Sequence, residues 1–167
     1  LSGEPYDTLS TVIGQHGDSP GSLLDWGVKY RQLELKDDAL DLDSIGSFLR
    51  VETRSAFLQR SRGYAWRSSL GIDQLEQAIL RVRAVAPEAV IMVDNCYGEL
   101  VEEREPTHVG ADLVAGSLIK NLGGTLAATG GYLAGRASAV EAAAYRLTAP
   151  GIGGEQGASL GFSRSML

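Results

Sequence analysis

The sequence predicts an α/β fold, a mostly parallel sheet covered by helices. Short β-branched apolar runs alternate with segments whose apolar residues recur every three or four positions. One run, Ala89–Val93 (AVIMV), is continuously apolar. That is the pattern of a strand covered on both faces, as in parallel sheets. Val28–Leu35 (VKYRQLEL) reads as a first strand, with Val28, Tyr30, Gln32 and Glu34 sharing a face. Asp41–Leu49 sets Leu42, Ile45, Phe48 and Leu49 at helical spacing. Ser55–Leu58 is a short strand entering the polar cluster Gln59-Arg60-Ser61-Arg62-Gly63. Ile72–Ala86 is the clearest helix: Ile72, Leu75, Ile79, Val82 and Ala86 form one stripe, Gly71 and Gln74 suit its start, and Pro87 closes it. Ala111–Leu118 and Gly131–Ala134 read as further strands. Ser138 and Glu141 have capping-box spacing for a helix ending near Leu147, and Pro150–Gly161 reads as a long glycine-rich loop.

Composition narrows the function. The chain has 167 residues, 44% apolar and 22% charged, which suits one globular domain. Fifteen basic against 21 acidic residues give a net charge of −6, which argues against a general nucleic-acid or anionic-membrane surface. No apolar run approaches the ~20 residues of a membrane span. Cys96 is the single cysteine, so no intramolecular disulfide is expected, and a reducing, cytoplasmic setting fits. His16 and His108 show no metal-ligand spacing. The chain opens at Leu1 without methionine, and a piece of a longer protein is expected.

In an open parallel sheet, ligands bind beyond the carboxyl ends of the strands. The residues there are Arg60-Ser61-Arg62, Asp94-Asn95-Cys96-Tyr97 and Ser117-Leu118-Ile119-Lys120-Asn121. Asp94 follows five apolar residues, so its carboxylate sits at the mouth of a dry strand; it is either a functional acid or a helix N-cap or loop salt bridge. Lys120 ends an apolar run beside Gly123 and Gly124. A lysine so placed either snorkels to solvent or has an amine able to attack a carbonyl. Ser117, with Gly116 and the later glycines, offers either a phosphate cradle or a plain turn. An amine, an acid and phosphate donors together match the needs of pyridoxal 5'-phosphate.

VDNCYGELVEEREPTHVGADLVAGSLIKNLGGTLAATGGYLAGR resembles the core of fold-type-I pyridoxal-phosphate enzymes, most closely the aluminium-resistance, methionine gamma-lyase-like family related to the cystathionine lyases. QRSRGYAWRSSL, AAYRLTAPGIGGEQGASLGF and GEPYDTL are similar to that family too, so the resemblance covers nearly the whole chain. It implies residues 1–167 are part of the cofactor-binding large domain, without the N-terminal phosphate-loop region and the C-terminal small domain. It implies Lys120 as the internal aldimine lysine, Asp94 against the pyridine nitrogen, Tyr97 on the ring hydroxyl and Ser117 on the phosphate. Arg60 and Ser61 are expected near the cofactor or the substrate carboxylate.

The implied activity is a carbon–sulfur lyase acting on a sulfur-containing amino acid, of methionine gamma-lyase or cystathionine beta-lyase type. The implied assembly is a homodimer or homotetramer. The alternatives are other chemistry on the same cofactor (transamination, racemisation, aldol-type cleavage), a non-catalytic copy serving as an interaction module, or a domain binding a nucleotide or sugar phosphate. Two departures stand out. Ile119 replaces the hydroxyl residue that the cystathionine lyases carry just before the lysine, and Leu122 and Ala128 occupy positions where the family often has proline. The isolated segment is expected to bind the cofactor weakly or not at all.

Overall fold

The structure is a computed structural model that describes residues 3–16, 20–147 and 151–152. Its centre is a four-stranded sheet ordered β3-β4-β5-β6. The strands are β3 (Ser55–Gln59), β4 (Val90–Asp94), β5 (Leu113–Ser117) and β6 (Gly131–Gly135). β3, β4 and β5 are parallel, and β6 returns antiparallel to β5. The expected α/β architecture is present, with an antiparallel edge on its parallel part.

Helix α3 (Ile72–Val85) crosses from β3 to β4 and covers one face of the sheet. Its predicted stripe is the buried one: Ile72, Leu75, Ile79, Val82 and Ala86 are all buried, joined by Ala78. They meet Leu58, Ile91, Val93 and Val114 from the strands. Each fully buried Leu, Ile or Val contributes about 1.5–3 kcal/mol. Gln74 Oε1 accepts the Gly71 N–H at 3.0 Å, so the start of the helix is closed as its sequence suggests.

Several expectations are corrected. Only alternate residues of the Ala89–Val93 run are buried: Ala89, Ile91 and Val93, the last two packed with α3, while Val90 and Met92 are half-buried. The Val28–Leu35 strand shrinks to a hairpin of β1 (Leu35–Lys36) with β2 (Ala39–Leu40), turned at Asp37 and Asp38, both at positive φ. Residues 28–32 alternate in polarity, but no strand among the described residues pairs with them. The helix in Asp41–Leu49 is confined to α2 (Ile45–Phe48), because Asp41 ties down Ser44 through its N–H and hydroxyl.

Helix α4 (Ala137–Leu147) starts before Ser138, so Ser138 is inside the first turn instead of capping it. The chain passes straight from β6, where the Arg136 N–H reaches the Asp112 carbonyl, into the helix. A short α1 (Asp7–Ile13) and a single 3-10 turn at Pro106–Val109 complete the described elements. Most of the loop read at Pro150–Gly161 lies outside the described residues. No described helix is long and apolar enough to cross a membrane.

Candidate active site

Because β3, β4 and β5 are parallel, their carboxyl ends share one edge of the sheet. Gln59 is in register with Asp94, and Asp94 with Ala115. Asp94 therefore ends a strand that has a partner on each side. The chain turns at once: Asp94 Oδ1 accepts the Cys96 N–H at 3.0 Å, and the Asn95 N–H reaches the Ala115 carbonyl at 2.8 Å. Tyr97 then takes φ +68°, a left-handed backbone uncommon outside glycine, and presents an exposed ring.

On the next strand, Ser117 closes β5. Its hydroxyl oxygen accepts the Ile119 N–H at 3.3 Å, and its carbonyl accepts the Lys120 N–H at 3.3 Å. That turn carries the half-buried Lys120 back towards β4, and its ammonium lies over the Tyr97 ring, 4.9 Å from the centroid.

Cys96 reports on the whole cluster. Burial pushes its thiol up to about 11, and the hydrogen bond to Asp94 and that carboxylate's charge push the same way. The positive charge of Lys120 and the Ser117 backbone pull against them. One side chain thus feels Asp94, Lys120 and Ser117 together. The acid and the amine singled out in the sequence share one neighbourhood, with Tyr97 against the amine.

Arg60 and Ser61 continue the edge from β3. With Cys96, Tyr97, Gly98 and Glu102 they border a cleft of about 190 Å³. Arg60 is only 3% exposed, and its donors are committed to the loop after β4. Nη1 donates to Asn95 Oδ1 and to the Gly98 carbonyl, both at 2.8 Å, Nε donates to the Leu70 carbonyl at 3.2 Å, and Nη2 pairs with Glu102. In this structure its influence on the site runs through the loop that bears Tyr97. Ser61 is half-buried, and its carbonyl accepts from Gln59 Nε2 at 3.3 Å. A larger surface hollow of about 510 Å³ lies elsewhere, beside Asp73, Glu103 and Arg104. Arg104 is already paired there with Asp73 and Glu76, and the hollow shares with the strand-tip cleft the Glu102 side chain.

The sequence reading missed a buried polar layer under the site. Asn95, 1% exposed, donates to Glu105 Oε2 at 2.8 Å. Glu99, 3% exposed, accepts the Tyr132 hydroxyl at 3.0 Å. Burial holds the Tyr132 phenol well above its ordinary range, and Glu99 adds to that while a hydrogen bond from Asn95 opposes it. The available signal was the density of Asn, Glu and Arg directly after an apolar strand, which reads equally well as a solvated loop.

An acid thus ends one strand of the parallel part of an α/β sheet and a lysine follows the next, at the edge where such sheets bind ligands. The comparisons give the family. The chain belongs to the methionine gamma-lyase family, whose model matches residues 1–167. It is 49% identical over 162 residues to protein YnbB of Bacillus subtilis (strain 168), covering 96% of this chain and 38% of that one. The crystal structure of a carbon-sulfur lyase involved in aluminum resistance from Clostridium novyi NT superposes with a TM-score of 0.91 at 46% identity, over 99% of this chain and 40% of that one. Cystathionine gamma-lyase from Lactobacillus plantarum, complexed with L-serine, shares the fold at 16% identity, with a TM-score of 0.63 over 83% of this chain and 32% of that one. The chain thus spans about two fifths of the length of YnbB and of the Clostridium novyi protein.

Proposed function

We propose that this protein is a pyridoxal-phosphate-dependent carbon–sulfur lyase acting on a sulfur-containing amino acid, of methionine gamma-lyase or cystathionine beta-lyase type. The observation that supports it best is that Asp94 and Ser117 end neighbouring parallel strands while the Lys120 ammonium lies over the Tyr97 ring, 4.9 Å from its centroid. That donor set fits the cofactor, which needs an amine for its aldehyde, an anion for its pyridine nitrogen, and hydroxyl or N–H donors for its phosphate. When bound, pyridoxal phosphate supplies a sink for the electron pair left at Cα.

The chain's own residues do the rest. The Lys120 amine would hold the aldehyde and, once freed by the substrate amine, would serve as the general base at Cα. Asp94 would hold a proton at the pyridine nitrogen. Tyr97 would meet the ring hydroxyl, and Ser117 would contribute to the phosphate site. Ser61, and Arg60 through its loop, border the substrate side. Ile119 brings no hydroxyl, so a further phosphate donor comes from outside this strand end. The working form is a homodimer or homotetramer in the cytoplasm.

The test uses the full-length protein loaded with cofactor and offered cystathionine, methionine or cysteine, with 2-oxo acid and thiol assayed. Borohydride reduction is expected to fix the cofactor's mass on Lys120. Lys120→Ala is expected to abolish turnover, and Asp94→Asn to lower it by several orders of magnitude. Near-normal rates in either variant refute the roles. An adduct without thiol release redirects the reading to another reaction on the same cofactor.

A further inference from the structure

We infer that Glu99 positions the Lys120 turn, acting with Tyr132 and Asn121 as a bracket across β5; the inference rests on the reading of Lys120 as the Schiff-base lysine. Glu99 comes from the loop after β4 and makes two bonds in different directions. Its carboxylate accepts the Tyr132 hydroxyl from β6 at 3.0 Å. Its backbone carbonyl accepts Asn121 Nδ2 at 3.0 Å. Asn121 directly follows Lys120, so the second bond ties the lysine's own turn to the loop that follows Asp94 and carries Tyr97.

The strand between them is shaped to admit this arrangement. Gly116 is in register with Tyr132 and precedes Ser117. A Cβ at Gly116 would lie 2.3 Å from Glu99 Oε1 and 2.4 Å from Tyr132 Cε1. Any side chain there would expel the pair. Loop, central strand and edge strand are thereby locked at the level where the lysine leaves the sheet.

Packing alone does not account for a carboxylate in this place. Glu99 is 3% exposed, and its Oε2 meets no hydrogen-bond donor among the described residues. An apolar side chain of similar volume would fill the space without that desolvation cost. What it would lack is the bond to Tyr132, which holds the Glu99 backbone where Asn121 finds its carbonyl. Neither Glu99 nor Asn121 touches a reacting atom in this scheme; both act through Lys120.

The experiment compares Asn121→Ala, Glu99→Ala and Glu99→Gln with the parent in the full-length protein. Hydrogen exchange is read first, without added cofactor. Asn121→Ala alters an exposed residue and removes one side of the bracket. It is expected to speed exchange of amides 118–124 about five-fold, the worth of one hydrogen bond, while β4 stays as in the parent. Glu99→Ala is expected to do the same. Glu99→Gln keeps an acceptor for Tyr132 and is expected to stay within about two-fold of the parent.

The rate at which borohydride fixes the cofactor on Lys120 is read second, and is expected to fall in the same two variants and recover in Glu99→Gln. Unchanged exchange in Asn121→Ala overturns the inference. So does a Glu99→Gln turn as loose as that of Glu99→Ala. Should Glu99→Ala fail to fold, Asn121→Ala and Glu99→Gln still decide. A parent that gives no Lys120 adduct overturns the Schiff-base reading, whereas unchanged exchange overturns the bracket, so the two failures are told apart.

Discussion

Two arginines on this chain both pair with carboxylates and should behave very differently when removed. Arg60 is 3% exposed and serves Asn95 Oδ1, the Gly98 and Leu70 carbonyls and Glu102. Arg104 is paired with Asp73 and Glu76 in open solvent. In Arg60→Ala, the Glu102 side chain, 37% exposed, regains water, so its pairing is discounted. Asn95 Oδ1 and the Leu70 carbonyl stay inside and lose a donor. Gly98 keeps a long bond from the Val101 N–H at 3.3 Å. Two orphaned acceptors at about 1–2 kcal/mol each, within the range for buried groups, give a loss of about 3 kcal/mol. Urea unfolding of the full-length protein, followed by tryptophan fluorescence, is expected to show its first midpoint lowered by about 1 M. Arg60→Lys is expected to recover only part of this, because one ammonium cannot reach both Asn95 and Glu102. Arg104→Ala is expected to leave the midpoint unchanged. A midpoint for Arg60→Ala equal to that of Arg104→Ala refutes the reasoning, because burial and orphaned acceptors would then count for nothing.

Other outcomes follow from the same geometry. Gly135 has φ +143°, and a Cβ there would lie 2.1 Å from the Asp112 carbonyl oxygen, which belongs to backbone and cannot swing away; Gly135→Ala is expected to destabilise by about 1–3 kcal/mol in thermal unfolding. Cys96, its thiol pushed up to about 11 by burial and by Asp94, is expected to alkylate slowly at pH 8.5, and Asp94→Asn to speed this by removing the charge that opposes thiolate, read as iodoacetamide incorporation by mass. The raised thiol also sets a pH dependence: the neutral form is favoured in the fold, so its stabilisation is complete below the ordinary value near 9 and is lost as pH rises towards 11, which alkaline unfolding of Cys96→Ala against the parent would show as a shallower decline.

How much of this was legible depended on which physics fixed each element. Helix α3 was readable almost to the residue because its stripe, its N-terminal Gly71–Gln74 pair and Pro87 all say the same thing locally. The strand tips were readable because an apolar run ends where its polar neighbour begins, and parallel pairing then puts Asp94 and Ser117 on one edge without further information. The strand over 28–35 failed for the opposite reason: alternation describes a strand only when a partner lies beside it, and pairing is a tertiary fact. The polar layer failed because Glu99, Asn95 and Glu105 have the composition of a solvated loop, and only the fold puts Tyr132 and Arg60 around them.

That asymmetry bears on where precision in this site comes from. Asp94 and Ser117 end hydrogen-bonded strands, and their positions are set by the ladder. Tyr97 and Lys120 lie beyond the ladder, one at φ +68° and the other on a turn closed by two bonds of 3.3 Å. Left to local forces, both would drift, since such turns are among the least stable parts of a fold. The buried layer supplies what the ladder cannot. Arg60 holds Asn95 and Gly98 on either side of Tyr97, and Glu99 reaches from Tyr132 to the residue after Lys120. The sheet thus sets two of the four groups, and buried charge sets the other two. Substitutions in that layer should therefore disturb the lysine and the tyrosine while leaving the acid where it is, a pattern that strand-core substitutions such as Ile91→Ala should not reproduce.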